Sequence, residues 1–227
     1  MLSTFQLDLV AEDYGAQMRP AKNFVLRDQT KWRRVKRGIS RGALLPINRR
    51  VQLRLELGVY ESAIAPHLSR LARGPVAWDL GANIGYYTVA LSKRMQRVVS
   101  FEPDADVLRQ TIEKNKLSDR VTVVQTMVGD TDQEGLVRLD TMMANGLLTP
   151  DFIKMDVEGA EVSVLRGLGA ALEEFRPTMI IESHTHELAD EITSLLRKLS
   201  YAVTPVRSRL FHDFRSEDNS WIVAEPN

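Results

Sequence analysis

The sequence predicts an α/β fold, a mostly parallel sheet with helices on both faces and an N-terminal extension in front of it. Three observations predict it. An apolar run, Val76-Ala77-Trp78, ends in Asp79, crosses a turn bearing Gly81 and Gly85, and opens into an apolar-periodic segment that reaches Leu91. From Arg97 to Leu199, short β-branched runs alternate with amphipathic helical patterns, the spacing of parallel strands joined by right-handed crossovers. Two further strand candidates, 201–206 and 220–224, close the chain around a polar loop.

A chain of 227 residues can bury a full core, and one α/β domain behind an extension suits it better than two domains. The expected division is 1–57 as a cap and 58–227 as the main domain. Composition is that of an ordinary globular protein, 44% hydrophobic and 26% charged. Thirty basic and thirty acidic residues cancel, so the whole-chain field does not argue for nucleic acid or an anionic membrane. Without cysteine, disulfides, thiolate metal sites and a Cys nucleophile are excluded. The first residues carry acids early and no basic flank, and no apolar run approaches a membrane span, so a cytoplasmic location is expected.

Residues 1 to about 50 lack clear periodicity and hold a basic cluster, Lys31, Arg33, Arg34, Lys36, Arg37 and Arg41, around Trp32. With charge balanced over the chain, a cap or a homo-oligomer contact is the expected role. Val59, Ala63, Ile64, His67, Leu68 and Leu71 recur at helical spacing until Gly74-Pro75 stops the helix. Arg97 to Glu102 reads as a second strand ended by Pro103, and Asp104 is placed to cap the helix after it. Val121 to Gln125 is a third strand. Turn residues dominate from Thr126 to Thr149, with a short strand expected at Leu136 to Leu139. Asp151 to Val157 forms the fourth strand, Thr178 to Glu182 the fifth, and a helix follows from about Glu187 to Leu199.

A strand, glycine turn and helix expose free N–H groups and a positive helix end at the sheet's carboxyl edge. An acid at the end of the next strand, here Glu102, can take two ribose hydroxyls as donors. That much fits a nicotinamide dinucleotide as well as S-adenosylmethionine. Dinucleotide binding wants G-x-G-x-x-G, whereas this loop reads Asp79-Leu80-Gly81-Ala82-Asn83-Ile84-Gly85. An acid ahead of the first glycine repels a pyrophosphate and welcomes the ammonium of an amino acid. The cofactor residues expected here are Asp79, Gly81, Asn83, Gly85 and Glu102.

The phrases WDLGANIGYYTVAL, FEPD, DFIKMDVEGAEVSVLRGL and IIESH stand in this order, after Gly58-Val59-Tyr60-Glu61. So ordered, the chain resembles the FkbM-type family of S-adenosylmethionine-dependent O-methyltransferases, over about residues 58–185 and the closing strands. The resemblance implies a Rossmann-like class I methyltransferase fold, a seven-stranded sheet in the order 3-2-1-4-5-7-6 with the last strand antiparallel. It also implies adenine against the loop after the third strand, where Met127 or Asp130 would contact it.

In the fourth strand, Lys154 and Asp156 point to one face, and two ionisable groups in an apolar strand need partners. Asp79 and Glu182, at the ends of flanking strands, are the expected ones. Methyl transfer from a sulfonium requires alignment of oxygen, methyl and sulfur and removal of a proton. Asp156, His184 and Glu182 are the expected catalytic residues, with His184 the base, Asp156 orienting the acceptor or the methionine amine, and Glu182 holding His184 or pairing with Lys154. Asp156, Glu158, Glu182 and His184 together resemble the oxygen-rich site of the magnesium-dependent O-methyltransferases, but the spacing does not demand one, and no metal is assigned.

The expected function is O-methylation of a hydroxyl on a small molecule or a sugar-containing metabolite. An NAD-dependent oxidoreductase, or a non-catalytic cofactor-binding interaction protein, is the alternative. No membrane partner is expected, and Asp156-Val157-Glu158-Gly159 lacks the proline-aromatic signature of nucleic-acid amino-methyltransferases.

Overall fold

The structure, a computed structural model, describes residues 29–60, 62–206 and 220–227. Glu61, the first 28 residues of the expected cap and most of the polar loop before the last strand lie outside the described residues.

A seven-stranded sheet organises the chain. It contains β3 (Val76–Leu80), β4 (Arg97–Phe101), β5 (Val121–Val124), β8 (Phe152–Met155), β9 (Thr178–Ser183), β10 (Tyr201–Val206) and β11 (Ser220–Pro226). Their order is β10-β11-β9-β8-β3-β4-β5. From β9 to β5 every pairing is parallel, and β11 runs antiparallel to both β9 and β10. Numbering only these seven strands in chain order gives 3-2-1-4-5-7-6, the expected topology.

Alternation along the strands sorts the core into two layers. On one face Ala77, Val98, Phe152 and Ile180 pack beneath α3 (Tyr86–Ser92) and α4 (Asp106–Lys114). On the other, Trp78, Phe101, Ile153 and Ile181 meet α6 (Glu161–Leu168), α7 (Ala171–Phe175) and α8 (His186–Lys198). Each α8 residue that faces inward, Ile192 and Leu196 among them, follows the period of an amphipathic helix. Consecutive residues thus serve opposite layers, and no strand can slip by one position without turning both cores out.

The extension is structured where it is described. Strands β1 (Thr30–Arg34) and β2 (Leu44–Asn48) form an antiparallel ribbon followed by α1 (Arg49–Leu57). Val35, Leu45, Ile47 and Leu55 lie in the same apolar layer as Ala77 and Leu108, so this ribbon shares the main core. Part of its basic cluster surrounds one buried acid. Arg49 holds Glu56 at 2.5 Å through two nitrogens, with Lys36 at 3.6 Å and Arg33 at 3.9 Å. Lys114 stacks over Trp32, 4.9 Å from the ring centre.

Several local expectations shift. The helix expected from Val59 is α2 (Ala65–Leu71) only, because Pro66 favours the first helical turn and lacks the N–H a longer helix would need. Asp104 caps nothing; its N–H instead donates to Glu102 Oε1 at 3.1 Å, and α4 starts after Ala105 without a side-chain cap. Between β8 and β9 the sequence folds as two helices, α6 and α7, separated at Gly169. Within 126–149, β6 (Met127–Gly129) pairs in parallel with β7 (Leu136–Arg138), and a short α5 (Leu139–Ala144) follows. No helix among the described residues is long and apolar enough to cross a membrane.

Candidate functional site

At the carboxyl edge of the central strands, one polar row runs across the α3 face of the sheet. Ser100 on β4, Asp79 on β3 and Lys154 on β8 are register neighbours. All three are buried, at 0%, 0% and 2% exposure, so their charges and dipoles must satisfy one another. Thr88, from the helix above, donates to Asp79 Oδ2 at 2.6 Å and stands 3.0 Å from Ser100 Oγ. Lys154 Nζ lies 3.9 Å from Asp79 Oδ1, 3.5 Å from Asp156 Oδ2, 3.5 Å from the Gly81 carbonyl and 4.7 Å from the centre of the Tyr87 ring. Burial pushes the Asp79 carboxyl up, and Lys154 and the Thr88 hydroxyl counter it. Asp79, expected as a cofactor residue and as a partner of Lys154, lies 3.9 Å from the Lys154 ammonium.

The glycine loop is tied to this row. Gly81 adopts φ +74, and a Cβ there would stand 1.8 Å from the Asp156 carbonyl oxygen, so only glycine lets the β3 and β8 ends approach so closely. Asn83 is also left-handed, at φ 48, and Gly85 at φ +89 opens α3. Glu102 holds the loop in place: Oε2 accepts from Asn83 N at 2.7 Å while Oε1 accepts from Asp104 N. Its carboxylate thus sits beside the loop, partly exposed at the end of β4, where the ribose was expected. Met127, 52% exposed, follows β5. Asp130 lies beyond β6, its N–H donating to Ser163 Oγ and its carbonyl accepting from Arg138.

Beyond Asp156 the backbone turns through Glu158 at φ 54 and Gly159 at φ +99, then enters α6 at Glu161. Glu161 caps this turn from inside: Oε1 accepts from Val157 N and Gly159 N, both at 3.2 Å, and the side chain is fully buried. The turn aims Glu158 at His184, which follows β9. His184 Nε2 lies 3.3 Å from Glu158 Oε2 and 3.5 Å from Asp156 Oδ1, and Nδ1 lies 3.4 Å from Glu161 Oε1. Glu158 first, then Glu161, push the imidazole up to about 10 against the opposing effect of burial. His184 accordingly carries a proton at neutral pH.

The structure brings Asp156 and His184 together, as the sequence suggests. Glu182 is buried on β9 opposite Trp221, while the contacts described for His184 are with Asp156, Glu158 and Glu161. The α8 cap is Thr185, whose hydroxyl accepts from Leu188 N at 3.1 Å, which leaves His184 to the acidic turn. Glu158 and Glu161 also reach His184, and the sequence pattern does not single out Glu161. The nearest signal was the Glu-Gly pair before Ala160-Glu161, a left-handed turn that folds both acids back toward β9.

Comparisons with known proteins bear on the fold that carries this site. Residues 118–203 match the family model described as the methyltransferase FkbM domain. The hexuronic acid methyltransferase AglP of Haloferax volcanii is 29% identical over 160 residues, 57% of this chain and 65% of that protein. The chain thus spans about two thirds of the length of this curated relative. Among solved structures, the methyltransferase FkbM from Methylobacillus flagellatus KT superposes with a TM-score of 0.53 at 20% identity, covering 67% of this chain and 44% of that one. The precorrin-6y C5,15-methyltransferase from Geobacter metallireducens GS-15 gives 0.50 at 17% identity, over 74% and 88%. Residues 118–203 are thus similar to the methyltransferase FkbM domain, and the chain shares its fold with solved methyltransferases.

Proposed function

We propose that the chain is an S-adenosylmethionine-dependent O-methyltransferase acting on a hydroxyl of a small molecule or a sugar-containing metabolite. The observation that carries the reading is the meeting of Asp156 and His184, 3.5 Å apart, beside the Gly81 loop that Glu102 holds at Asn83. The sugar class draws support from the Haloferax relative, a hexuronic acid methyltransferase.

On this reading Glu102 takes the ribose hydroxyls, the Gly81–Gly85 loop receives the amino-acid end, and the Met127 loop faces adenine. S-adenosylmethionine would supply the methyl group from its sulfonium to the acceptor oxygen, with the electron pair of the broken methyl–sulfur bond returning to sulfur. The hydroxyl proton becomes strongly acidic as the new bond forms, so a weak base suffices late in the step. A protonated His184 cannot take it; Asp156 accepts it, and His184 holds Asp156 in place. Lys154, fixed by Asp79, orients the same carboxylate from the sheet side.

Calorimetry with S-adenosylmethionine and with NAD separates this reading from an oxidoreductase, and binding of NAD alone would sink it. Transfer of a labelled methyl group to an alcohol or uronic-acid sugar panel tests the reaction. Binding without transfer to any of these acceptors would favour a non-catalytic protein. His184→Ala is expected to slow transfer while cofactor affinity is retained.

A further inference from the structure

Asp156, Glu158 and His184 each offer one ligand atom, and these atoms all lie within 4.8 Å of one another. Their separations are informative. A charge-assisted N–H to carboxylate hydrogen bond is usually about 2.7–2.9 Å long. His184 Nε2 instead stands 3.3 Å from Glu158 Oε2 and 3.5 Å from Asp156 Oδ1. Ligand atoms held at about 2.0–2.2 Å from one divalent ion stand roughly 3.3–3.6 Å apart in a tetrahedral arrangement and roughly 2.8–3.1 Å apart as octahedral neighbours. The two measured separations match the first interval and lie within a few tenths of an ångström of the second.

A second observation is independent of the three ligands. A metal-bound imidazole almost always presents its other nitrogen to a carboxylate or a carbonyl, which fixes its tautomer and orientation. His184 Nδ1 faces Glu161 Oε1 at 3.4 Å, on the side away from Asp156 and Glu158. Glu161 is fully buried, is itself fixed by two backbone N–H groups, and its Oε2 has no hydrogen-bond partner. A fully buried carboxylate behind the imidazole costs desolvation that a helix-end charge alone does not repay.

We propose that Asp156, Glu158 and His184 form a site for a divalent first-row cation of the Mn2+ class, with Glu161 positioning His184 from behind. Two carboxylates with one imidazole suit an ion between the hard oxygen-loving and the nitrogen-loving metals, and three ligands leave coordination positions open. The role of the ion rests on the methyl-transfer reading above: binding it would displace the Nε2 proton that His184 carries in the metal-free chain, leave Nδ1–H facing Glu161, and turn Asp156 from base to ligand, while the ion would hold the acceptor oxygen and make its proton easier to remove. Its existence does not rest on that reading.

The test is titration of the metal-stripped full chain with Mn2+ in the absence of cofactor, followed by the loss of the free-ion electron paramagnetic resonance signal. One saturable site per chain is expected. Glu158→Gln is the first variant, since this side chain is 84% exposed and its loss spares the core. Both it and His184→Ala are expected to weaken Mn2+ binding about tenfold or more, while Glu173→Gln, on α7, leaves it unchanged. No saturable binding to the wild-type chain, or wild-type affinity retained in Glu158→Gln and His184→Ala, would overturn the site. Cofactor calorimetry on the same samples keeps the two readings apart. Mn2+ bound without S-adenosylmethionine binding supports the metal site and defeats methyl transfer, whereas cofactor bound without Mn2+ binding defeats the metal site alone.

Discussion

Lys154 Nζ lies 3.9 Å from Asp79 Oδ1 across the β8–β3 register, both side chains buried beneath α3. Two opposite charges inside a sheet are held by each other, and removing one leaves the other uncompensated. Lys154→Met is therefore expected to destabilise the fold by about 3–5 kcal/mol, the scale of a broken buried pair. The double variant Asp79→Asn with Lys154→Met should recover much of this loss. Urea midpoints at matched slopes measure both, and a double variant as unstable as the single one would show that the pair is not the cause.

Glu102 links the cofactor loop to the end of β4 through Asn83 N at 2.7 Å and Asp104 N at 3.1 Å. Glu102→Ala removes both acceptors and frees a loop in which Asn83 is left-handed. Cofactor affinity is expected to fall by about 1–3 kcal/mol, the cost of lost hydrogen bonds to a charged group. Amide exchange at Asn83 should quicken in parallel. Unchanged affinity with faster exchange would mean that the ribose is held elsewhere.

The distance between pattern and contact explains what the sequence could and could not say. Strands β3, β4, β8 and β9 were legible because each is a short β-branched or aromatic run bounded by turn residues, and the phrase around Gly81 located the loop. Asp79 was legible as a partner of Lys154 because both sit near the ends of neighbouring strands, whereas choosing it over Glu182 required the register that sets Asp79 opposite Lys154. The ribbon β1–β2 was illegible because its strands carry Lys31, Arg33, Arg34 and Pro46 in place of a two-residue alternation. The charge state of His184 was hidden for a similar reason. It depends on Glu158 and Glu161, and these reach it only through a turn of positive φ.

Acid should loosen the N-terminal ribbon. The Arg49 guanidinium beside Glu56 holds this carboxyl below its ordinary value of 4.5. A carboxyl with a depressed folded-state value adds stability above the unfolded value, and the gain is lost as pH falls through the folded value. Stability is thus expected to decline below about pH 4.5, first at β1, β2 and α1. Glu56→Gln should be less stable than wild type at neutral pH and should lose part of this acid dependence. Thermal midpoints between pH 3 and 7, roughly the span of carboxylate titration, check the sign; a variant as acid-sensitive as wild type would assign the effect to other carboxyls.

The close approach of Gly81 to the Asp156 carbonyl makes a paired prediction. Gly81 and Gly135 have nearly equal backbone angles, φ +74 and φ +76, but a Cβ at Gly81 would meet Asp156 O at 1.8 Å while one at Gly135 meets nothing within 4 Å. Alanine at Gly135 pays only for its left-handed backbone, about 1–2 kcal/mol. Alanine at Gly81 pays the same and must also push the β8 end away, because the obstructing atom is backbone and cannot rotate aside. Gly81→Ala is expected to cost at least about 2 kcal/mol more than Gly135→Ala, in the range of other severe core overpacking. Since the displaced carbonyl belongs to Asp156, cofactor affinity should fall with stability in Gly81→Ala and hold in Gly135→Ala. Equal losses in the two variants would mean that backbone strain alone, rather than contact between the loop and the β8 end, governs this glycine.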